Sequence, residues 1–570
     1  MTQTEYRPAV KGASNARRTA VLILLAVVLC AVLAEAVWNG RPVALPDSGG
    51  VNLPRVPCVS YAPFRRAGET PFDPDLRISP AAIEADLRRL ATLTGCVRTY
   101  GLDHGLDAVP DVARRVGLRV VLGAWIGRDT AANATQLHKA LELARDYPDV
   151  VQMLVVGNEV LLRRELSPQA LAELLARARR ESPVPVAYAD VWEFWLHHAP
   201  VLHAHVDVVA VHILPYWEDQ PVGIEQAVEH VYAIAARMRQ AFGTTPVWVA
   251  ETGWPAVGRQ RGAARPGRLE QARFVRELLA RQPGEPLSFN LVEGFDQPWK
   301  RDLEGAMGGS WGLFDTDGEL RVPLSGPVVP EPRWIWLPWL AALGGALGWA
   351  TWGRRQLVRG CQPQLAMALS GALISVFALL QAMALPEWSR DTWEWVVGLA
   401  KLGLSMLCGV MIAWRLAQVL RGEALQARAG LVAGFSRPPA VGGRPAALAL
   451  ILALMLFIAA VDALALVFDA RYRPFPWPGL AAPALLLSAL AWLGDRLPAS
   501  AREERLLAGV CAGCAMLLAG LEGMANTQAL LYAALLLMLA MTTLWPHRAL
   551  PGGSSARAAS STAGAAQSVE

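Results

Sequence analysis

Apolar and polar positions divide the 570-residue chain into three unequal stretches. Residues 19–38 are almost entirely apolar and follow a polar segment, 1–18, carrying Arg7, Lys11, Arg17 and Arg18. After a Gly- and Pro-containing linker at 39–54, residues 55–330 alternate short apolar runs with amphipathic ones. Long apolar runs then resume at 334–352, 364–385, 393–414, 445–468, 479–495, 506–523 and 527–545. Each approaches the roughly 20 residues that span hydrocarbon. The pattern predicts one N-terminal membrane helix, an all-α domain of seven membrane helices over 334–545, and a Ser/Ala/Gly-rich disordered tail over 546–570. We read residues 19–38 as an uncleaved signal anchor. Ala34-Glu35-Ala36 resembles a cleavage site, but the run is long for a cleaved signal peptide.

Within 55–330, strand-length runs fall at 58–62, 96–101, 119–125, 151–158, 185–190, 206–213, 246–252 and 288–295. Helical patterns such as Pro80–Leu93, Leu137–Arg145 and Pro168–Arg180 lie between them. Eight strands with intervening helices predict an α/β domain of the (β/α)8 TIM-barrel type, although the count alone also fits a doubly wound sheet. Chemistry at the strand ends decides between the two.

Composition agrees with a chain partly in lipid. Hydrophobic residues make up 53% and charged residues 18%, too apolar for a wholly soluble protein. The net charge of +4 offers no footprint for nucleic acid. With the N-terminus cytoplasmic, Arg354, Arg355, Arg359, Arg415, Arg421, Arg428, Arg437, Arg444, Arg496, Arg502 and Arg505 fall inside. Glu387, Asp391 and Glu394 fall outside, as the positive-inside rule requires. Trp334, Trp336, Trp352, Trp393, Trp414 and Trp545 sit at segment ends, as interfacial belts do.

Two strands end abruptly in a carboxylate: Val151-Gln-Met-Leu-Val-Val-Gly-Asn-Glu159 and Val247-Trp-Val-Ala-Glu251. A glutamate ending a buried strand is costly unless it is paired or functional. In a barrel, strands four and seven face each other across the C-terminal mouth, where active sites lie. A retaining glycosidase needs two such carboxyl groups about 5–5.5 Å apart, one as acid/base and one as nucleophile. The bland alternative is a pair of salt-bridged barrel glutamates.

Gly157-Asn158-Glu159-Val160 and Glu251-Thr252-Gly253-Trp254-Pro255 resemble the two catalytic signatures of glycoside hydrolase family 17, the β-1,3-glucanase family. The resemblance covers roughly residues 56–322. It implies a retaining (β/α)8 enzyme with Glu159 as acid/base and Glu251 as nucleophile. Asn158 is placed to bond the sugar 2-hydroxyl. Tyr61, Arg98, Tyr100, His212, Tyr216 and Trp254 complete the candidate substrate-binding set with Glu293, Asp296, Trp299 and Lys300 from strand eight. Tyr216 is expected to hold the nucleophile, and His212 to line the site. Gln297 stands where many members of the family have Glu. The membrane regions resemble those of proteobacterial members that build or remodel β-glucans, some labelled β-(1→6)-glucan synthases. The resemblance therefore implies a multi-pass inner-membrane protein with a periplasmic catalytic domain. Its partners would be β-glucan and membrane lipid, with unknown glucan synthesis or export partners. The competing function is a β-glucan-binding or export-scaffold protein without turnover. A nucleotide-sugar synthase would need a cytosolic domain that the chain lacks the length to supply.

No cofactor or metal is expected. His197, His198, His203, His205 and His212 lie close in sequence, but without carboxylate or Cys at ligand spacing. Cys511 and Cys514 form a C-x-x-C inside an apolar run, and the sequon at Asn133 carries no weight if the chain is bacterial. Cys58 and Cys96 begin neighbouring strands of an exported domain, so either a disulfide or two buried thiols is open. Lys401 and Asp462 lie roughly 12 and 9 Å below the outer boundary on consecutive antiparallel helices. An ion pair between them is expected.

Overall fold

The structure, a computed structural model, describes residues 14–46, 55–353, 361–422, 444–469, 472–494 and 502–544. Most of the polar N-terminal segment, part of the linker, Arg354, Arg355, Arg359, Arg428, Arg437, Arg496, Trp545 and the tail lie outside the described residues.

Eight parallel strands close into a barrel in sequence order. They are β1 (Cys58–Ser60), β2 (Cys96–Arg98), β3 (Arg119–Ala124), β4 (Val151–Asn158), β5 (Val186–Val191), β6 (Val208–His212), β7 (Val247–Thr252) and β8 (Phe289–Leu291). The pairs Cys58–Asn290 and Val59–Leu291 close the ring between β1 and β8. The barrel helices start where local chemistry directs. Ser79 and Ser167 cap Pro80–Leu90 and Pro168–Glu181, each with proline in the first turn. Asp129 caps Thr130–Asp146 through two amides. Asn133 uses its side chain to close the loop at Gly127, so the sequon asparagine is buried.

Two apolar layers result. A large one fills the space between strands and helices. A small one inside the barrel is built from Val121, Val155, Ala187, Ala189, Ala210, Trp248, Ala250 and the Cys58–Cys96 disulfide. The alanines leave room inside the ring for Trp248 and for the buried Arg98.

Among the described residues, six helices are long and apolar enough to cross a membrane. They are Asn15–Asn39, Gln362–Trp388, Thr392–Leu420, Leu450–Phe468, Arg502–Glu522 and Thr527–Leu544. The predicted segments at 334–352 and 479–495 form shorter helices, Leu337–Gly353 and Trp477–Trp492. Cys511 and Cys514 are buried as free thiols in the bundle. Lys401 Nζ meets both carboxylate oxygens of Asp462, at 2.7 and 2.9 Å, as expected.

Loops after three neighbouring strands seat the barrel on the bundle. After β7, Arg259 pairs with Glu522, and Gln260 uses every polar atom it has. Its amide donates to Gln528 and its carbonyl accepts from Asn526, while its side chain bonds Ala525 and Thr527. After β8, Arg301 donates to the Pro386 carbonyl at 3.0 Å, and after β6 the Trp217 ring meets Tyr472 edge-on. At Gly305, with φ +74°, a β-carbon would lie 2.4 Å from the Tyr472 carbonyl, so only glycine fits. Arg18 bonds Leu420 at the opposite end of the bundle.

Candidate active site

The carboxylates converge because the ends of β4 and β7 leave regular strand geometry. Pairing slips between Val155 and Asn158, between Val211 and His212, and between Val249 and Thr252. Gly157 and Glu159 take φ of +86° and +54°. This left-handed turn is unusual for glutamate and aims its side chain into the mouth.

Glu159, His212 and Glu251 then form one group. Each offers an atom within 4.8 Å of the others'. His212 Nδ1 is 2.9 Å from Glu159 Oε1, and its Nε2 is 3.6 Å from Glu251 Oε1. Beneath them, Arg98 donates to Glu251 Oε1 at 3.1 Å, to Asn158 Oδ1 at 2.6 Å and to the Ala250 carbonyl at 2.8 Å. Its guanidinium also lies over the Tyr100 ring. Three donors of this kind could ligate a metal. However, the Arg98 cation already sits on the Glu251 oxygen that an ion would use, so the set suits proton chemistry better.

Electrostatics sharpen this reading. Burial alone would raise the Glu159 carboxyl, but the His212 hydrogen bond and charge outweigh it and hold Glu159 below the ordinary carboxylate value. Burial would lower His212, yet the charges of Glu251 and Glu159 raise it above the usual histidine value. The proton of the group therefore rests on His212, between two carboxylates. Burial pushes Glu293 up to about 7 despite Lys300, whose Nζ lies 2.8 Å from Glu293 Oε1. The other Glu293 oxygen is buried with no hydrogen-bond partner among the described residues. Tyr100 donates to Ser60 and is raised by burial and by the charge of Glu251.

The structure thus brings Asn158, Arg98, Tyr100, His212, Glu293 and Lys300 to the two carboxylates, and leaves other expected residues elsewhere. Tyr61 points outward and bonds Asp86 on the first barrel helix at 3.3 Å. Tyr216 does not hold the nucleophile: its hydroxyl donates to the Arg259 carbonyl inside an aromatic cluster with Trp254 and Trp311. The Trp254 indole donates to the Arg265 carbonyl and is buried. Asp296 is spent on the Gly312 amide and Arg321. Trp299 is half-buried against Phe64 and Phe72. Of the histidine-rich segment, only His212 reaches the mouth; His203 bonds Thr245 instead.

Sequence reasoning missed Asp190, Asn290 and Glu304. Asp190 is the penultimate residue of β5, and burial, with the charge of Glu159, pushes it up to about 6. It carries the same signal as the two glutamates, an apolar run closed by a carboxylate. Asn290 ties Ser60 to the Ala250 carbonyl inside the barrel. Glu304, up to about 7 through burial, lies within electrostatic reach of Lys300, Glu293 and both carboxylates.

Residues 58–312 match the family model described as the BtgE/BtgC glycoside hydrolase domain. The barrel is a glycoside hydrolase domain. A Schizosaccharomyces pombe protein named glucan 1,3-beta-glucosidase is 28% identical over 235 residues, spanning 38% of this chain and 73% of that protein. A Candida albicans protein of the same name is 24% identical over 263 residues, 42% of this chain and 85% of its own. The probable beta-glucosidase btgE of Aspergillus fumigatus is 26% identical over 226 residues, and the match spans only 39% of its length. Among solved structures, a glycoside hydrolase family 17 beta-1,3-glucanosyltransferase from Rhizomucor miehei aligns over 97% of its chain and 47% of this one, at 22% identity and TM-score 0.41. All of these matches fall well short of this chain's full length. The hydrolase domain here is followed by the apolar helices described above.

Proposed function

We propose that this protein is a membrane-held retaining glycoside hydrolase or transglycosylase acting on β-1,3-glucan, with Glu251 as nucleophile and Glu159 as acid/base. The observation that carries this is the approach of the two carboxylates within 4.8 Å around His212. That spacing favours direct attack, because an inverting pair leaves roughly 6.5–9.5 Å for a water. The names of the curated relatives support the glucan substrate.

In the first step a Glu251 oxygen forms a bond to the anomeric carbon as the glycosidic C–O bond breaks. The proton that rests on His212 passes to Glu159 across 2.9 Å and on to the leaving oxygen, so that this step leaves Glu159 ionised and His212 neutral. In the second step Glu159 removes a proton from water, or from a hydroxyl of a second glucan chain, which attacks the anomeric carbon and frees Glu251. Arg98 holds the Glu251 carboxylate in place through a 3.1 Å contact. The Arg17–Arg18 end of the first helix lies with Leu420, away from the barrel, which supports a cytoplasmic N-terminus and a periplasmic barrel at an inner membrane.

The test is the product pattern from linear β-1,3-gluco-oligosaccharides. Shorter products mark hydrolysis, and longer or branched ones mark transfer. Unchanged substrate would leave the binding or export-scaffold reading. Azide with Glu159→Ala should yield a β-glycosyl azide, and an α-azide would refute retention.

A further inference from the structure

A cavity of about 350 Å³ opens between the barrel-side ends of Gln362–Trp388, Thr392–Leu420 and Arg444–Phe468 and the segment around Tyr472. That volume is within the range of small-ligand sites. Its walls combine Trp388, Trp393 and Tyr472 with Gln381, Lys401 and Asp462. From this geometry we propose that the cavity is a binding site for a neutral saccharide, seating a stretch of glucan that lies outside the barrel mouth. The identification of glucan rests on the function proposed above.

Three observations converge on this ligand. The first is position. Tyr472 forms one wall of the cavity and also touches the barrel, with its ring against Trp217 and its carbonyl against Gly305. Gly305 directly follows Glu304, which lies within electrostatic reach of both catalytic carboxylates. The cavity thus lies against the barrel loops that follow β6 and β8.

The second is charge. The cations on the cavity wall are matched locally: Lys401 by Asp462, Arg390 by Glu394 at 2.9 Å, and Arg473 by Asp469 at 3.0 Å. Recognition of a phosphate or carboxylate needs cationic donors free to face it. Cations tied to their own carboxylates suit a neutral, hydroxyl-rich ligand.

The third is an unmet acceptor. Gln381 is 8% exposed, and its side-chain oxygen has no hydrogen-bond partner among the described residues. A buried unpaired acceptor costs about 1–3 kcal/mol, and a turn of the Gln381 amide toward the cavity it lines would let a sugar hydroxyl relieve it. An acyl chain would not, and it would press hydrocarbon against the Lys401–Asp462 pair. Trp393, at 71% exposure, offers an indole ring at the rim for a sugar to lie on.

The experiment uses the full-length chain in lipid nanodiscs, made inactive by Glu251→Gln so that the saccharide survives. Binding of a linear β-1,3-linked decasaccharide and of the trisaccharide is measured by calorimetry, with Gln381→Leu or Trp393→Ala added. Loss of one hydrogen bond or stacking contact should weaken the decasaccharide about fivefold and leave the trisaccharide unchanged. Equal decasaccharide binding in both variants would overturn the proposal. So would native mass spectrometry showing a phospholipid lost from both variants while saccharide binding holds. The two readings fail separately. If the unsubstituted chain turns over glucan but the variants bind normally, the cavity proposal fails alone. If it turns over no glucan but decasaccharide binding still depends on Gln381 and Trp393, the catalytic reading fails alone.

Discussion

Replacing Arg98 by lysine tests whether one buried cation organises both catalytic motifs. The arginine makes three hydrogen bonds, to Asn158, Ala250 and Glu251, and is fully buried. Lysine keeps the charge but ends in a single nitrogen without the planar fork. It can follow Glu251 or Asn158, not both. The Ala250 carbonyl keeps its bond from Asn290 at 2.8 Å, so the loss concentrates on the catalytic pair. A hydrogen bond to a charged group is worth about 1.5–3 kcal/mol. Losing the bond to Asn158 or to Glu251 should therefore cost about 2 kcal/mol. At about 1.4 kcal/mol per tenfold, kcat/KM should fall by roughly 10- to 100-fold. The same loss should lower the melting temperature of a domain this size by about 4–8 °C. The assay is release of reducing ends from a β-1,3-gluco-oligosaccharide, run beside thermal unfolding. A variant within threefold of the parent in kcat/KM would refute the claim that Arg98 organises the site. A fall in melting temperature alone would make Arg98 a packing residue.

Glu251→Gln should abolish turnover and Glu159→Gln nearly so, and full activity in either would sink the assignment. The fall of activity at high pH should follow loss of the last proton shared by His212 and Glu159. Because His212 is raised, that proton is held above pH 6.5 and leaves as pH rises. A pair retains its last proton at least as tightly as either member alone. His212→Asn should thus move the alkaline limb to lower pH, and a shift to higher pH would contradict the relay. Thiol titration of the denatured, unreduced chain should count five cysteines of seven, and seven would exclude the Cys58–Cys96 bridge. Removing that bridge, which spans 38 residues, should cost about 4 kcal/mol by chain entropy, measured by denaturant unfolding. Lys401→Ala and Asp462→Ala should each reduce folded protein in membranes, with the double variant no worse than either; additive losses would show that the pair does not interact.

The barrel was legible because its strands are continuous apolar runs, and the glutamates stood out as charges closing such runs. Arg98 was legible as a cation where a strand stops, and Lys300 through the resemblance of the segment after strand eight to the family's terminal strand. Tyr61, Tyr216, Trp254 and Asp296 misled because strand alternation does not continue through a strand end. The pairing slips at β4, β6 and β7 and the left-handed turn at Gly157 and Glu159 reset which side chains face inward. Aromatic identity could not choose between a sugar platform and a core position. The seating of Arg259 and Gln260 was out of reach for a different reason. Their partners include Glu522 and the Ala525 carbonyl, 263 and 265 residues away, and the Arg473 carbonyl, 214 residues away; no side-chain pattern reports a carbonyl.

The loops that anchor the mouth to the bundle also determine how a polymer can meet it. In a bilayer, a barrel gripped after β6, β7 and β8 does not swing on a tether, while Phe72 and Trp125, on the loops after β1 and β3, stay exposed. On the proposed function, encounter then depends on how much glucan lies in the thin layer beside the lipid, not on its bulk concentration. A released barrel with every catalytic atom in place would obey a different rate law, one in volume instead of area.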